Sequence, residues 1–337
     1  MSRKILILGV NGFIGSHLAE KILNTTDWEI YGLDLDDDKL DCVDNPRFHF
    51  TKADLLKSDD WVEEHVKLCD IIIPLVAIAN PVIYVQNPLR VFQLDFEANL
   101  KIVKWCVKHK KRLVFPSTSE VYGMATDKEF CEESTNLITG PIKNVRWIYS
   151  SSKQLLDRVI YAYGMQEGLQ YTLFRPFNWV GPKLDHVFGE KAKHARVLPK
   201  FLNNIINEND IELVGGGTQR RCFIYIEDAI DALMKILENK NGIADQQIFN
   251  IGNPANDLSI KELADQTLSI AKEFPKYADS ANKVNVVVSD PEKFYGKGYQ
   301  DVSVRVPSIK KSKELLDWEP TTTSTEMLQK TIGYYLS

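Results

Sequence analysis

The 337-residue sequence lacks the features that mark several special classes of protein. It has no internal repeat and no low-complexity segment, so a repeat protein and a disordered chain are both excluded. There are five cysteines, Cys42, Cys69, Cys106, Cys131 and Cys222, an odd number without metal-type spacing. We therefore expect a protein of the reduced cytoplasm that holds no metal.

Long hydrophobic runs and an excess of basic charge are missing too. The apolar run at the N-terminus is cut short by Gly9, Asn11 and Gly12, so it does not form a signal peptide. The apolar stretch 68–85 contains aspartate, asparagine and proline, which is typical of a buried strand and loop, not of a membrane span. With 41 basic and 46 acidic residues the net charge is −5. The sequence thus predicts neither a membrane nor a nucleic-acid partner.

What the sequence does contain is an alternation of short apolar runs with stretches of helical spacing. Its 44% apolar and 26% charged residues are typical of a globular protein with a sizeable core. This alternation predicts an α/β protein with a doubly wound parallel sheet, the Rossmann arrangement. The predicted strands are 4–8, 29–34, 48–50, 70–75, 113–115, 170–175 and 247–251.

A glycine-rich turn follows the first predicted strand. Gly9, Gly12 and Gly15 lead into a helix at 16–23, the context in which a helix N-terminus faces a pyrophosphate. Asp34 ends the second strand, 19 residues after Gly15, where a carboxylate binds the adenosine ribose. Three more aspartates at 36–38 repel a 2′-phosphate, which favours NAD over NADP. The alternative is a structural turn beside a solvated acidic loop.

A hydroxyl, a phenol and an ammonium group come together in the sequence pattern. Thr118 follows the apolar run 113–115, and Tyr149 and Lys153 are four residues apart on a predicted helix, so they share a face. A tyrosine with its usual pKa of about 10 is a poor base, but a nearby ammonium group favours the phenolate. The three residues predict removal of a proton from a secondary alcohol while hydride passes to NAD. An ordinary surface pair on a helix is the alternative.

The second half of the chain has longer loops, which predicts a separate substrate domain. We expect an NAD-binding domain at 1–175, to which 226–251 returns, and an interleaved substrate domain at 176–225 and 252–337. A glycine run at 215–217 ends in Arg220 and Arg221, which suits a diphosphate, although a solvated turn also has this composition. Segment 91–108, which contains Asn99, is amphipathic; its apolar face fits the core and also one half of a dimer interface with the Tyr149 helix.

Five motifs make the chain similar to a known family over almost its whole length. They are GVNGFIG at 9–15, PSTSEVYG at 116–123, RWIYSSSKQLLDRVIYAYG at 146–164, FRPFNW at 174–179 and YGKGYQDV at 295–302. The sequence resembles the extended short-chain dehydrogenase/reductase family and, within it, the UDP-glucuronic acid decarboxylases. The resemblance implies a homodimer that oxidises the sugar of UDP-glucuronate at C4 with NAD and then releases the C6 carboxylate as carbon dioxide.

The resemblance also implies roles for individual residues. Glu120 and Arg305 match the proposed acid/base pair around decarboxylation, with Ser119 beside them. The implied UDP-sugar contacts are Arg146, Asn178, Arg196, the segment 212–221 with Arg220 and Arg221, and Tyr299. The implied NAD contacts are Gly9, Gly12, Phe13, Ile14, Gly15, Asp34, Asp54, Leu55, Ala79, Tyr84 and Lys153. Glu212 and Thr218 depart from the family pattern, which has lysines there.

Ser119 helps to choose among related activities. Related 4,6-dehydratases have an aspartic acid at this position, UDP-apiose synthases have a cysteine, and galactose 4-epimerases lack the neighbouring glutamate. Decarboxylation without ring contraction therefore fits best. Two products stay open: UDP-4-keto-pentose, which we favour, and UDP-xylose, formed if NADH returns its hydride. Another nucleotide-sugar dehydratase or epimerase, and an NAD-binding sensor without turnover, are the remaining alternatives.

Overall fold

The centre of the protein is a seven-stranded parallel sheet in the order β11-β6-β5-β4-β1-β2-β3. A computed structural model describes residues 2–290, 302 and 305–337. The sheet strands are β1 Lys4–Leu8, β2 Glu29–Asp34, β3 Phe48–Lys52, β4 Ile71–Pro74, β5 Arg112–Pro116, β6 Tyr171–Pro176 and β11 Gln247–Ile251. The predicted fold class is confirmed, and the predicted strand ends differ from these by at most two residues.

Helices cover the sheet, and short strand pairs lie outside it. The helices are α1 Phe13–Thr25, α2 Asp59–Leu68, α3 Pro81–Gln86, α4 Pro88–Phe92, α5 Asn99–His109, α6 Trp147–Glu167, α7 Val197–Ile206, α8 Ile226–Glu238, α9 Ile260–Ala271, α10 Ala278–Lys283, α11 Lys310–Leu316 and α12 Ser324–Leu336. The short strands are β7 Trp179–Val180, β8 Ile211–Val214, β9 Arg220–Cys222, β10 Ile224–Tyr225, β12 Asp257–Ser259 and β13 Val286–Ser289. Within the described ranges, no helix has the length and apolarity needed to cross a bilayer.

The strand order places a switch point beside β1. In register, Leu8 of β1 lies between Leu33 of β2 and Pro74 of β4. From β1, the sheet continues through β2 to β3 on one side and through β4 to β11 on the other. Ile5, Leu6, Ile7 and Leu8 are fully buried because helices cover both faces. A switch point opens a crevice at the carboxyl ends of the strands, where such sheets bind ligands.

The chain leaves the sheet after β6 and returns to it at β11. The segment between β6 and β11 contains α7, β8 and β9, and these pack with elements that follow β11: α7 packs on α9, β8 pairs with β13, and β9 pairs with β12. Together they form a second layer. α8 packs on α1, and β11 pairs in parallel with β6 at the sheet edge. The second layer therefore faces the crevice at the end of β6.

The helix that precedes β5 has an unusual middle. It begins at Pro88 and runs to His109, but the residues Gln93–Ala98 are wound as a π-helix. This turn packs against α6, as do α4 and α5. A π-helical turn shifts the side chains that follow it around the helix axis and is found at functional sites. Here it lies beside the helix that carries Tyr149 and Lys153.

Candidate active site

The turn 9–15 is tight enough to require its glycines. Gly9 has φ +86°, and a Cβ there would lie 2.9 Å from the backbone nitrogen of Val76. A Cβ on Gly15 would lie 2.4 Å from the carbonyl oxygen of Gly9. Phe13 and Ile14 open α1 directly after Gly12. The exposed N–H groups at this helix end, with no side chain over them, form a cradle that fits a pyrophosphate.

Asp34 ends β2 beside this cradle, and its carboxylate is already engaged. Its two oxygens accept from the backbone N–H groups of Asn11, at 2.8 Å, and Leu35, at 2.7 Å. Burial raises the pKa of Asp34, and these two hydrogen bonds oppose that rise. The aspartates after it are partly neutralised: Asp36 lies 3.0 Å from Lys52, and Asp38 lies 2.8 Å from Lys191. The acidic loop thus carries less net negative charge than the sequence alone indicates.

The other predicted NAD contacts lie around the same edge of the sheet. Asp54 uses its carboxylate to cap the turn Leu55–Lys57, accepting from the N–H of Leu56 at 3.0 Å, and Leu55 itself is buried. Ala79 lies in the loop after β4 and directly before α3. Tyr84 of α3 is 3% exposed and stacks on Tyr149, with ring centroids 4.6 Å apart. The ring of Tyr84 therefore packs against the ring of Tyr149 and helps to hold it in place.

Thr118, Tyr149 and Lys153 are brought together at the carboxyl end of β5. The hydroxyl of Thr118 hydrogen-bonds to Tyr149. Its Oγ1 also accepts from the N–H of Glu120 at 3.2 Å, which fixes the start of the turn Ser119–Tyr122. Lys153, one helical turn after Tyr149, donates from Nζ to the carbonyl oxygen of Pro116 at 3.0 Å. All three side chains are at most 8% exposed.

The protein groups around Tyr149 do not by themselves favour its phenolate. Burial raises the pKa of Tyr149, the charge of Asp95 adds to the rise, and the Thr118 hydrogen bond opposes it. Burial lowers the pKa of Lys153, and the charges of Asp95 and Asp157 oppose that fall. A cation placed beside Tyr149 stabilises its ionised form. A positive charge bound next to Tyr149 would therefore oppose the effect of burial on its pKa.

Glu120 lies between two arginines from distant parts of the chain. Its Oε2 is 2.6 Å from Nη2 of Arg146, and its Oε1 accepts from Nη1 of Arg305. Burial alone raises the pKa of Glu120, but the charges of Arg146 and Arg305 outweigh it and lower the pKa to about 2. At neutral pH the carboxylate is therefore ionised, and it accepts hydrogen bonds from both arginines.

A cavity of about 260 Å³ leads from this cluster towards the second layer. One end is formed by Glu120, Arg146 and Arg305, and the other by residues of α7, β8 and β9. The remaining polar lining residues are Asn80, Asn178, Arg196, Lys200, Glu212, Gln219 and Arg221. Asn178 has φ +42° and donates to the carbonyl oxygen of Cys222 at 3.2 Å, so its side chain ties β9 to the end of β6.

The predicted substrate arginines have different environments. Arg196 forms a two-pronged pair with Asp185, both contacts at 2.9 Å, at the edge of the cavity. Arg221 lines the cavity, whereas Arg220 does not: its guanidinium binds Asp257 at 2.8 Å and Glu262 at 3.2 Å.

Ser119 is 4% exposed. Tyr299 lies outside the described residues.

Sequence reasoning missed two charged residues that the fold brings to the site. Lys200 of α7 lines the cavity, and burial lowers its pKa while Glu212 opposes the fall. Asp95 is fully buried in the π-helical turn beside Tyr149 and Lys153. Lys200 looks like a surface residue of an amphipathic helix in the sequence. Asp95 has one weak signal there, a charge directly between two apolar residues, Leu94 and Phe96.

Comparisons with known proteins agree with this geometry. The family model described as "NAD dependent epimerase/dehydratase family" matches residues 5–252. The crystal structure of PbgP3 protein from Burkholderia pseudomallei is 51% identical, with a TM-score of 0.91, over 100% of this chain and 97% of that chain.

Two more distant structures show the same fold. The UDP-glucuronic acid 4-epimerase from Bacillus cereus, in complex with UDP-glucuronic acid and NAD, is 21% identical with a TM-score of 0.80, over 98% of each chain. The dTDP-glucose 4,6-dehydratase from Bacillus anthracis, in complex with NAD, is 22% identical with a TM-score of 0.77, over 99% of this chain and 96% of that chain.

Proposed function

Because this chain belongs to the NAD-dependent epimerase/dehydratase family, we propose that it decarboxylates UDP-glucuronate oxidatively and releases UDP-4-keto-pentose. The proposed activity resembles that of the decarboxylase domain of the bifunctional polymyxin-resistance protein ArnA. The family's cofactor is NAD. The cradle 9–15, Asp34 and Lys153 are the residues that would hold it, and NAD would supply the acceptor for hydride from the substrate.

The observation that carries the proposal is the pair of buried arginines around Glu120. Arg146 and Arg305 are 1% and 4% exposed. The Nε–H of Arg305 is buried and has no acceptor among the described residues. A buried donor without an acceptor is costly, and a second carboxylate in the cavity satisfies it. A glucuronate has such a carboxylate at C6, whereas a neutral hexose does not.

The first step is oxidation at C4. Tyr149, as phenolate, takes the proton of the C4 hydroxyl while Thr118 hydrogen-bonds the same oxygen. Lys153 stays charged and stabilises the phenolate. The sugar would give the hydride from C4 to bound NAD and, having lost two electrons, would become a ketone.

The second step breaks the bond between C5 and C6. The C4 ketone makes the sugar a β-keto acid, so the electron pair of the broken bond is held as an enolate while carbon dioxide leaves. Arg305 and Arg146 bind the departing carboxylate, and C5 then gains a proton, which balances the proton that Tyr149 took from the C4 hydroxyl. Ionised Glu120 orients both arginines. Ser119, a weak acid, does not assist loss of a hydroxyl, which separates this chemistry from dehydration.

The cavity provides for the rest of the substrate. Arg221 and Lys200 line the cavity and are cations suited to the diphosphate, whereas Arg220 binds Asp257 outside it. Asn178 lies between the two ends of the cavity. Tyr299 keeps its proposed role in binding the UDP-sugar. We propose that residues 1–175 and 226–251 form an NAD-binding domain and that residues 176–225 and 252–337 form a substrate domain.

The test is incubation with UDP-glucuronate and NAD while carbon dioxide is measured. We expect release of carbon dioxide, and none from UDP-glucose. Turnover of a neutral UDP- or dTDP-hexose without turnover of UDP-glucuronate contradicts the proposal. Tyr149→Phe distinguishes an enzyme from an NAD-binding sensor, because it abolishes turnover and leaves NAD binding intact.

The released product is determined by the fate of NADH. If the ketone leaves first, NADH accumulates one for one with carbon dioxide, and this is the outcome we propose. If hydride returns first, UDP-xylose forms without net NADH. The same residues serve both outcomes, so the relative rates of ketone release and hydride return decide. Absorbance of NADH, followed while the sugar nucleotides are separated by chromatography, distinguishes them.

We also propose that the protein is a homodimer. Four large apolar side chains are exposed on α4 and α6: Leu89 at 72%, Leu155 at 49%, Tyr161 at 52% and Met165 at 65%. Exposed apolar side chains along two packed helices favour pairing with a second copy as a four-helix bundle. This pairing places α6, which carries Tyr149 and Lys153, next to the interface.

A further inference from the structure

The π-helical turn before α5 carries a buried carboxylate that the steps above do not use. Asp95 is 0% exposed. Its Oδ2 accepts from the N–H of Ile78 at 3.1 Å, and Oδ1 has no hydrogen-bond partner among the described residues. A fully buried carboxylate with a hydrogen bond to only one of its oxygens lowers the stability of the folded protein, so packing does not explain its presence.

The contact with Ile78 connects Asp95 to the cofactor crevice. Ile78 lies in the loop between β4 and α3, next to Ala79, at the carboxyl edge of the sheet. This N–H lies in a loop, and no backbone carbonyl oxygen among the described residues accepts a hydrogen bond from it. The carboxylate thus ties the loop 77–79, which borders the crevice, to the π-helical turn, which packs on α6.

The π-helical turn that carries Asp95 packs on α6, the helix of Tyr149 and Lys153. The charge of Asp95 acts on Lys153 more than any other carboxylate does, and it also acts on Tyr149 and Tyr84. Asp157 of α6 is the second carboxylate that influences Lys153, but it is paired with Arg175 at 3.2 Å and with the hydroxyl of Ser117 at 2.7 Å. The remaining charged groups around the pair are Glu120, Arg146 and Arg305.

The charge of Asp95 itself changes near neutral pH. Burial raises the pKa of Asp95 to about 6, and the charge of Lys153 opposes that rise. Above this pH the carboxylate is ionised. It then favours the charged ammonium group of Lys153, whose pKa burial lowers, and disfavours the phenolate of Tyr149. Both effects raise the pH at which the two groups lose their protons.

We propose that Asp95 is a positioning residue with two roles: its carboxylate holds the loop 77–79 through Ile78, and its charge sets the pH range in which Lys153 supports Tyr149. The turnover test of this proposal rests on the proposed decarboxylase function. Two further measurements use NAD alone, so they test Asp95 whether or not UDP-glucuronate is the substrate.

The charge role is tested with Asp95→Asn, since the amide oxygen keeps the hydrogen bond to Ile78 and the charge is lost. We expect both the acidic limb of the pH profile of kcat/KM, set by Tyr149, and the basic limb, set by Lys153, to move to lower pH. Below about pH 6, Asp95 of the wild type is itself protonated, so wild type and variant should have the same kcat/KM there. Glu64→Gln, which removes an exposed carboxylate of α2, leaves the profile unchanged. A profile identical to that of wild type overturns the charge role.

The same shift is measurable without substrate. Ionisation of Tyr149 is followed by ultraviolet difference absorbance of the NAD complex, with Tyr149→Phe as the reference that isolates its signal. We expect its midpoint at lower pH in Asp95→Asn than in wild type. An unchanged midpoint overturns the charge role even if UDP-glucuronate is not turned over. Absence of turnover in wild type, together with a shifted midpoint, contradicts the proposed function and not the role of Asp95.

The loop role is tested by NAD affinity, measured by quenching of intrinsic fluorescence. Asp95→Leu removes the acceptor of the Ile78 N–H, and we expect about tenfold weaker NAD binding, as for one lost hydrogen bond. Asp95→Asn keeps this bond and binds NAD like wild type. Equal affinity in folded Asp95→Leu overturns the loop role. If the leucine variant does not fold, weakened NAD binding by Asp95→Asn overturns it instead.

Discussion

The single carboxylate of Glu120 decides the charge at the centre of the site. Two arginines hold it ionised, so the arginine side of the cavity keeps one net positive charge. That charge balance suits a substrate with its own carboxylate. A neutral side chain of the same shape at position 120 leaves two buried positive charges close together, which repel each other.

Replacement of this carboxylate gives the first prediction. Glu120→Gln keeps the shape of the side chain but removes the charge that orients Arg146 and Arg305. We expect release of carbon dioxide to fall by a factor of about 100 or more, measured as kcat with UDP-glucuronate. NAD binding by fluorescence serves as the control and stays unchanged. Undiminished kcat would refute a role for Glu120 in the reaction.

Two adjacent arginines give the second prediction. Arg221→Gln removes a cation that lines the cavity, so KM for UDP-glucuronate rises about tenfold, as for one lost charge-assisted hydrogen bond. Arg220→Gln is the matched control. Its guanidinium binds Asp257 and Glu262 outside the cavity, so KM stays within about twofold of wild type. The opposite order of effects would show that Arg220 binds the substrate.

The raised pKa of Asp95 predicts a dependence of stability on pH. The folded-state pKa of about 6 lies above the ordinary value of 3.8, so the folded protein holds this proton more tightly than the unfolded chain does. Wild type therefore loses stability as the pH rises from about 4 to above 6, by about 3 kcal/mol from this group. The stability of Asp95→Asn does not fall in this way, because the asparagine amide does not titrate.

Urea unfolding at pH 4 and pH 7.5 measures this effect. Relative to wild type, the free energy of unfolding of Asp95→Asn is expected to be about 3 kcal/mol higher at pH 7.5 than at pH 4, which means that the variant gains stability. A relative stability that does not change between the two pH values would mean that Asp95 titrates normally. Together with the shifted pH profile, a gain in stability identifies a residue kept for function.

At the scale of elements, the turn between β1 and α1 is determined by close backbone approach. Gly15→Ala places a Cβ 2.4 Å from a backbone oxygen of Gly9, so the turn has to move. We expect NAD affinity to fall by at least about tenfold, because the helix N-terminus no longer lies at the same distance from the pyrophosphate. Fluorescence titration with NAD gives the measurement.

The control for this turn is Gly168→Ala at the end of α6. Gly168 also has a positive φ, +71°, but a Cβ there meets nothing within 4 Å. The substitution costs about 1 kcal/mol of backbone strain in the free energy of unfolding and leaves NAD affinity unchanged. Equal NAD affinities in both alanine variants would contradict the assignment of the turn 9–15 to the cofactor.

At the scale of the whole molecule, the exposed apolar side chains on α4 and α6 predict the oligomeric state. The double variant Leu155→Asp and Met165→Asp places charges where the proposed bundle is apolar, so we expect it to be a monomer of 38.5 kDa by light scattering. Ile142→Asp, at a loop residue that is 99% exposed, is the control and stays dimeric. A wild-type mass of 38.5 kDa at micromolar concentration would rule out the dimer.

Much of the fold and part of the site were predictable because they depend on short stretches of sequence. Apolar runs of strand length alternate with helical spacing, which predicts the parallel sheet. The glycines of the turn 9–15 and Asp34 lie at the ends of adjacent strands. Tyr149 and Lys153 are one helical turn apart, so their shared face follows from helix geometry alone. In each case the interacting groups are close in sequence or on neighbouring strands.

The tertiary structure alone decided where long-range charges meet. Arg146 and Arg305 reach Glu120 across 26 and 185 residues of chain. Of the adjacent Arg220 and Arg221, only the second lines the cavity, because successive residues of β9 point to opposite sides. Asp95 is buried because a π-helical turn packs on α6. Burial and pairing depend on which distant segments pack together, and the local pattern of one chain segment does not contain that information.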